Sequence, residues 1–139
     1  MSGYTQRKII REGIQMKNRE WNVQNPAQNL HDYKRVLCVC AAGLLRSPTA
    51  AVVLAGEPFN YNTRACGMVE DYALIPIDDI LIKWADEIVV MDSSFEKEIR
   101  KRTDKPIINL DISDSYVYRD PDLMKLIHAE YTQATRNQP

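Results

Sequence analysis

From residue 34 onward the chain alternates between two kinds of hydrophobic pattern. RVLCVC, at residues 35–40, is a short unbroken apolar run, the form a strand takes when both of its faces are covered. YNTRAC (61–66), EIVVM (87–91) and PIINL (106–110) are three further strand candidates. Helical patterns separate them. Ser47 and Pro48 read as an N-cap followed by proline at the first helical position, and TAAVVLA (49–55) continues that helix. IDDILIKWA (77–85) is a second helix. Ser93 and Glu96 have the spacing of a capping box for a third, FEKEIRKR (95–102), whose basic end suits the helix dipole. In the last, Asp120 and Pro121 form the start, and Leu123, Leu126, Ile127 and Ala134 fall on one face with Tyr131 beside them. Strands separated by helices predict an α/β fold of three layers, a four-stranded parallel sheet flanked by helices.

The first 33 residues follow a different pattern: polar, rich in Asn and Gln, and ending in NVQNPAQN around Pro26. Within them Ile10, Ile14 and Trp21 recur at helical spacing, which predicts a helix over about residues 5–19. The chain therefore divides into an N-terminal helical extension, 1–33, and a main domain, 34–139. The extension is expected to pack on the domain as a strut, the alternative being an arm for a partner or for oligomer formation.

Composition narrows the chemistry. A length of 139 residues suits one domain with a real core, and a net charge of −1 provides no general attraction to nucleic acid or to an anionic membrane. No apolar run approaches the roughly 20 residues of a membrane span, and no leader pattern opens the chain, so a cytoplasmic protein is expected. Three cysteines, Cys38, Cys40 and Cys66, lack the spacing of a disulfide framework. The two histidines, His31 and His128, stand in no metal-ligand spacing and read as surface residues.

The informative stretch is the turn after the first strand. In an open α/β sheet the ligand crevice lies beyond the carboxyl ends of the strands, and Cys40 stands at that end of the first one. Residues 41–46 must turn back into a helix, so their amides can form an anion-binding nest at a helix N-terminus. Gly43 supplies the left-handed conformation that such a nest requires. Arg46 adds a planar fork able to grip two oxygens of a phosphate. The same positive field favours the thiolate of Cys40, and the Ser47 hydroxyl can hydrogen-bond to that sulfur. The ordinary reading, a buried strand cysteine beside a solvated arginine, explains each residue singly but not their combination with strand, glycine and helix.

C40-AAGLL-R46-S47-P48 resembles the phosphate-binding loop of the low-molecular-weight protein tyrosine phosphatases, a Cys-(x)5-Arg-Ser-Pro loop between the first strand and the first helix. WADEIVVMD (84–92) and ISDSY (112–116) are similar to further segments of that family, the second to its acid loop, and the resemblance runs over about residues 34–135. It implies that Cys40 is the nucleophile, Arg46 the phosphate clamp, Ser47 the thiolate partner and Asp114 the general acid, Asp111 being the competing carboxylate. The backbone of Ala41, Ala42, Gly43, Leu44, Leu45 and Arg46 would hold phosphate, and Tyr116 and Tyr72 would wall the cleft. No metal or cofactor is implied, and the substrate would be a phosphorylated protein or a small phosphate ester, an aryl phosphate such as phosphotyrosine in particular. The sequence departs from the family pattern at Gly43, where asparagine is usual, at Leu45, where many members carry a second cysteine, and at Ser115, where proline is common. Two other readings remain open: an arsenate reductase with Cys66 as thiol relay, and a non-catalytic module that binds phospho-ligands on the same frame.

Overall fold

The computed structural model describes residues 33–41, 46–69, 73, 75–113 and 119–136. In chain order these form β1 (Arg35–Cys40), α1 (Arg46–Ala55), β2 (Asn62–Gly67), α2 (Asp79–Trp84), β3 (Glu87–Val90), α3 (Ser93–Arg100), β4 (Ile107–Asn109) and α4 (Pro121–Thr135). The strands and helices expected from residue 34 onward are present, shifted by at most one or two residues at their ends. The expected helix of the extension, with Ile10, Ile14 and Trp21, lies outside the described residues.

The four strands make one parallel sheet in the order β2-β1-β3-β4. Register is fixed along β1, where Val36 faces Thr63 on one side and Glu87 on the other, and Val39 faces Cys66 and Val90. Alternation of side chains across the sheet separates two cores. Val36, Cys38, Cys40, Ala65, Val89 and Ile108 join α1 and α4 on one face, with Leu54, Leu123, Ile127 and Tyr131. Leu37, Val39, Cys66, Ile88 and Val90 join α2 and α3 on the other, with Leu81, Ile82 and Ile99. This layering follows from the hand of parallel crossovers. The β1-α1-β2 step moves one way along the sheet, whereas the steps through α2 and α3 move the other way, which places those helices on the opposite face.

Polar contacts close the ends. Glu87 is 1% exposed, and its carboxylate meets the Lys34 ammonium and accepts a hydrogen bond from the Tyr131 hydroxyl at 3.1 Å. The Lys105 ammonium donates to the carbonyls of Ile82 (2.8 Å), Lys83 (2.8 Å) and Ala85 (2.5 Å), a cation set where the last carbonyls of α2 need donors. Three details differ from expectation. Asp92, not Ser93, caps α3, because its Oδ1 accepts from both the amide and the hydroxyl of Ser94 at 2.7 Å. Ala134 is exposed, since the buried stripe of α4 runs through Leu123, Ile127 and Tyr131, where the Tyr131 ring meets Phe59 and Tyr61 edge-on. Ser47 does not cap α1, as described below. Asp120 does cap α4, accepting from the Asp122 amide at 2.8 Å. No described helix is long and apolar enough to cross a membrane.

Candidate active site

The strand order has its switch point at β1: the chain leaves it toward β2 and later returns to its other side as β3. A crevice is expected beyond the carboxyl end of β1, and Cys40 is the last residue of that strand. Its main chain is pinned past the end of the sheet. The Cys40 carbonyl accepts from the Met68 amide at 2.7 Å and the Ala41 carbonyl from the Val69 amide at 2.9 Å. A thiol on a main chain held this way has a fixed origin, which an in-line displacement requires.

Against Cys40 the structure sets one of the predicted partners, Ser47. Cys40 is 3% exposed, and its Sγ donates to Ser47 Oγ at 3.1 Å. Ser47 Oγ in turn donates to the carbonyl of Cys66 at 3.1 Å. Helix α1 begins at Arg46, so Ser47 is its second residue and Pro48 its third. The hydroxyl expected at the helix cap is used to join the thiol to the end of β2, and this is why it sits inside the helix rather than before it. Arg46 is 6% exposed, and its Nη1 donates to the carbonyl of Ile112 at 2.8 Å. The guanidinium therefore spans from the start of α1 to the segment that follows β4.

That segment is itself anchored. Leu110 and Ile112 donate their amides to the carbonyls of Val90 and Met91, which extends the β3–β4 pairing beyond the strands. Asp111, the competing carboxylate, is exposed and has a left-handed backbone with φ 52°, its amide held by Asn109 Oδ1 at 2.9 Å. Ala42, Gly43, Leu44 and Leu45 of the expected nest, and Asp114, Tyr116 and Tyr72, lie outside the described residues.

The other two cysteines differ in surroundings. Cys38 is fully buried on the same sheet face as Cys40, and burial, with the nearby Glu87 charge, pushes its thiol well above the ordinary range. Cys66 packs with Leu37 and Val39 on the other face, and burial pushes its thiol up as well. Both are held as neutral core residues.

One charged neighbour went unremarked in the sequence. Asp92 follows β3, the strand beside β1, and hydrogen bonds from Ser94 hold its carboxyl below the ordinary carboxylate range, with the Arg46 guanidinium adding to the effect. A carboxylate just past a central strand is the signal that could have marked it, since that position opens on the crevice. Among the described residues no group of three His, Cys, Asp or Glu side chains is arranged to hold a metal ion.

No protein-family model matches the sequence, and no curated protein sequence is significantly similar to it. Solved structures are. The tyrosine phosphatase Wzb from Escherichia coli K30, crystallised with phosphate, aligns at TM-score 0.56 and 15% identity over 76% of this chain and 99% of that one. The YwlE arginine phosphatase from Geobacillus stearothermophilus aligns at 0.54 and 20% identity, over 78% of this chain and 98% of that one. Wzb from Vibrio vulnificus, in complex with benzylphosphonate, aligns at 0.54 and 16% identity, over 76% and 96%. At such identities the likeness shows the fold, and the chain is built as these phosphatases are, on the fold its resemblance to the low-molecular-weight protein tyrosine phosphatases implies.

Proposed function

We propose that this protein is a cysteine-dependent phosphatase of the low-molecular-weight type, which hydrolyses phosphotyrosine or similar aryl phosphate monoesters through a cysteinyl-phosphate intermediate. The observation that carries the reading is the hydrogen bond from the Cys40 thiol to the Ser47 hydroxyl at the end of β1, with Arg46, one residue before Ser47, opening α1, at the switch point of a fold shared with solved phosphatases. Benzylphosphonate, bound by one of the similar structures, has the shape of an aryl phosphate ester and supports that substrate class.

The mechanism is two displacements at phosphorus. The Cys40 thiolate forms the S–P bond as the ester P–O bond breaks, and Asp114 donates its proton to the leaving oxygen. Water then forms a new P–O bond, its proton passes to the Asp114 carboxylate, and the S–P bond breaks to return the thiolate. Asp114 is suited to this role by connectivity: it is two residues beyond Ile112, a covalent reach of about 7 Å from the residue whose carbonyl Arg46 holds. Arg46 carries enough N–H donors to hold that carbonyl and to grip an oxyanion together. Amides of Ala41 to Arg46 complete the grip, and their hydrogen bonds strengthen as charge moves onto the equatorial oxygens in the transition state.

Ser47 has one hydroxyl proton, and its use changes with the state of Cys40. While Cys40 is a thiol, the hydroxyl accepts from sulfur and donates to the Cys66 carbonyl. Once the thiol proton has left, sulfur accepts only, so the hydroxyl turns to donate to it. The same donor stabilises sulfur as a leaving group in the second displacement.

The arsenate-reductase reading needs Cys66 to receive a disulfide from Cys40, and the burial of Cys66 on the opposite sheet face argues against it. A hydrolysis screen tests the proposal: phosphotyrosine peptides, phosphoarginine peptides and small alkyl phosphates, each with wild type and Cys40→Ser. Turnover of phosphotyrosine peptides by wild type, abolished in Cys40→Ser with phosphate binding retained, is the expected result. Phosphopeptide binding without hydrolysis by wild type would instead make the protein a binding module.

A further inference from the structure

We infer that the outer edge of β2 is the docking surface of the chain's own N-terminal extension. The sheet has two edges, β2 and β4, and they differ. Along β4, Ile107 and Asn109 are only half-buried. Along β2 every residue is buried, and none from Asn62 to Cys66 is more than 8% exposed. The two faces of β2 account for part of this. The Thr63 hydroxyl donates to the Ala51 carbonyl of α1 at 2.9 Å, and Arg64 Cζ lies 4.4 Å from the centre of the Trp84 ring at the end of α2. Helices packed on the faces of a sheet do not cover its edge.

The backbone shows which groups lie on that edge. The Asn62 amide donates to the Lys34 carbonyl at 2.9 Å, on the side of β1. Gly67 points the other way, its amide donating to the Ile75 carbonyl at 2.8 Å and its carbonyl accepting from the Ile77 amide at 2.9 Å. Strand residues alternate, so Thr63 and Ala65, in phase with Gly67, also turn their N–H and C=O groups away from β1. Among the described residues the pairing along this edge is confined to Gly67, against residues 75–77. Buried backbone polar groups are paired, so the edge at Thr63 and Ala65 requires a further stretch of chain. The extension is placed to supply it. It joins the domain at Tyr33 and Lys34, where the Lys34 carbonyl meets the first residue of β2 and the Lys34 ammonium lies 5.1 Å from the centre of the Tyr61 ring. From there the outer side of β2 is two strand spacings away, about 10 Å, which a few residues of chain span. The Asn and Gln residues of NVQNPAQN carry both donors and acceptors, the two kinds of group that a strand edge presents. Charge favours the contact too, since Lys and Arg outnumber Asp and Glu in the extension and are outnumbered by them in the rest of the chain. An edge closed in this way is no template for pairing with another chain.

The test uses the full-length chain, isotope-labelled for NMR. Nuclear Overhauser contacts from the amides of Thr63 and Ala65 to protons of residues 1–32 are expected, with both amides slow to exchange against deuterium. In a full-length variant whose residues 5–30 are replaced by a Gly-Ser repeat of equal length, the two amides are expected to exchange at least about 100-fold faster, while those of Ile88 and Val89 in β3 keep their wild-type rates. Contacts confined to residues 33–139, or wild-type exchange at Thr63 and Ala65 in the Gly-Ser variant, overturn the inference. Contacts found only between labelled and unlabelled chains in a mixed sample assign the edge to a second copy and overturn it as well. Should the variant fail to fold, the contacts in the wild-type chain decide alone.

Discussion

Two carboxylates, Asp111 and Asp114, compete for the role of acid in the proposed mechanism. Asp111 is exposed, with its backbone turned left-handed and tied to Asn109, ahead of the carbonyl that Arg46 holds. Asp114 comes after that anchor. Asp114→Ala is expected to lower kcat on phenyl phosphate by about 10² to 10⁴, and Asp111→Ala to leave it within a few-fold of wild type. Steady-state rates on the two variants decide this, and the reverse order would move the acid to Asp111. Cys40, Arg46 and Ser47 were legible in the sequence because a thiol, a guanidinium and a hydroxyl stand at a fixed spacing around one strand-to-helix turn. The Ile112 carbonyl that Arg46 holds was not, because a backbone carbonyl leaves no mark on residue type.

Among the elements, α4 shows what pattern alone misses. Its helical period places Leu123, Leu126, Ile127 and Ala134 on one side with Tyr131 beside them, but Ala134 is exposed and Tyr131 is buried, its hydroxyl reaching Glu87 inside the molecule. A buried carboxylate draws a donor from across the fold, and no local pattern contains that requirement. Tyr131→Phe keeps the ring contacts with Phe59 and Tyr61 and removes one donor to Glu87, leaving Lys34. It is expected to destabilise the fold by about 1–3 kcal/mol, the range for a hydrogen bond to a charged group, as measured by urea unfolding. An unchanged midpoint would contradict the account of this contact. The cap of α3 moved from Ser93 to Asp92 for a similar reason: two adjacent residues could each cap, and the one with donors on both the amide and the hydroxyl of Ser94 prevailed.

The architecture of the whole molecule was legible because apolar runs of strand length recur between amphipathic helices, and parallel strands with right-handed crossovers leave few arrangements. Strand order was not, since each run is covered on both faces and carries no sign of its neighbour. Long-range polar ties hold the arrangement. Asp86, before β3, accepts from the Arg35 amide at 2.9 Å and from its guanidinium at 3.2 Å, across the start of β1. Burial opposes the charge on Asp86, but the hydrogen bonds from Arg35 outweigh it and hold the carboxyl below the ordinary range. A carboxyl depressed in the folded state adds stability that is fully present above the unfolded value near pH 4 and is lost as pH falls through the folded value. The pair is about half exposed, so its contribution is at most about 1 kcal/mol. Asp86→Asn should lose less stability than wild type between about pH 4 and pH 2; equal acid sensitivity by urea unfolding at each pH would exclude this tie as a contributor.

In the proposed mechanism phosphorus passes through the Cys40 sulfur. Acid quenching during turnover of an aryl phosphate, followed by mass spectrometry of the intact chain and its peptides, detects that transfer itself. The prediction is one phosphoryl group, carried on Cys40, which accumulates further in Asp114→Asn when an activated ester such as dinitrophenyl phosphate is used. Turnover with no covalent phosphoryl group, or with the group on any other residue, would contradict it.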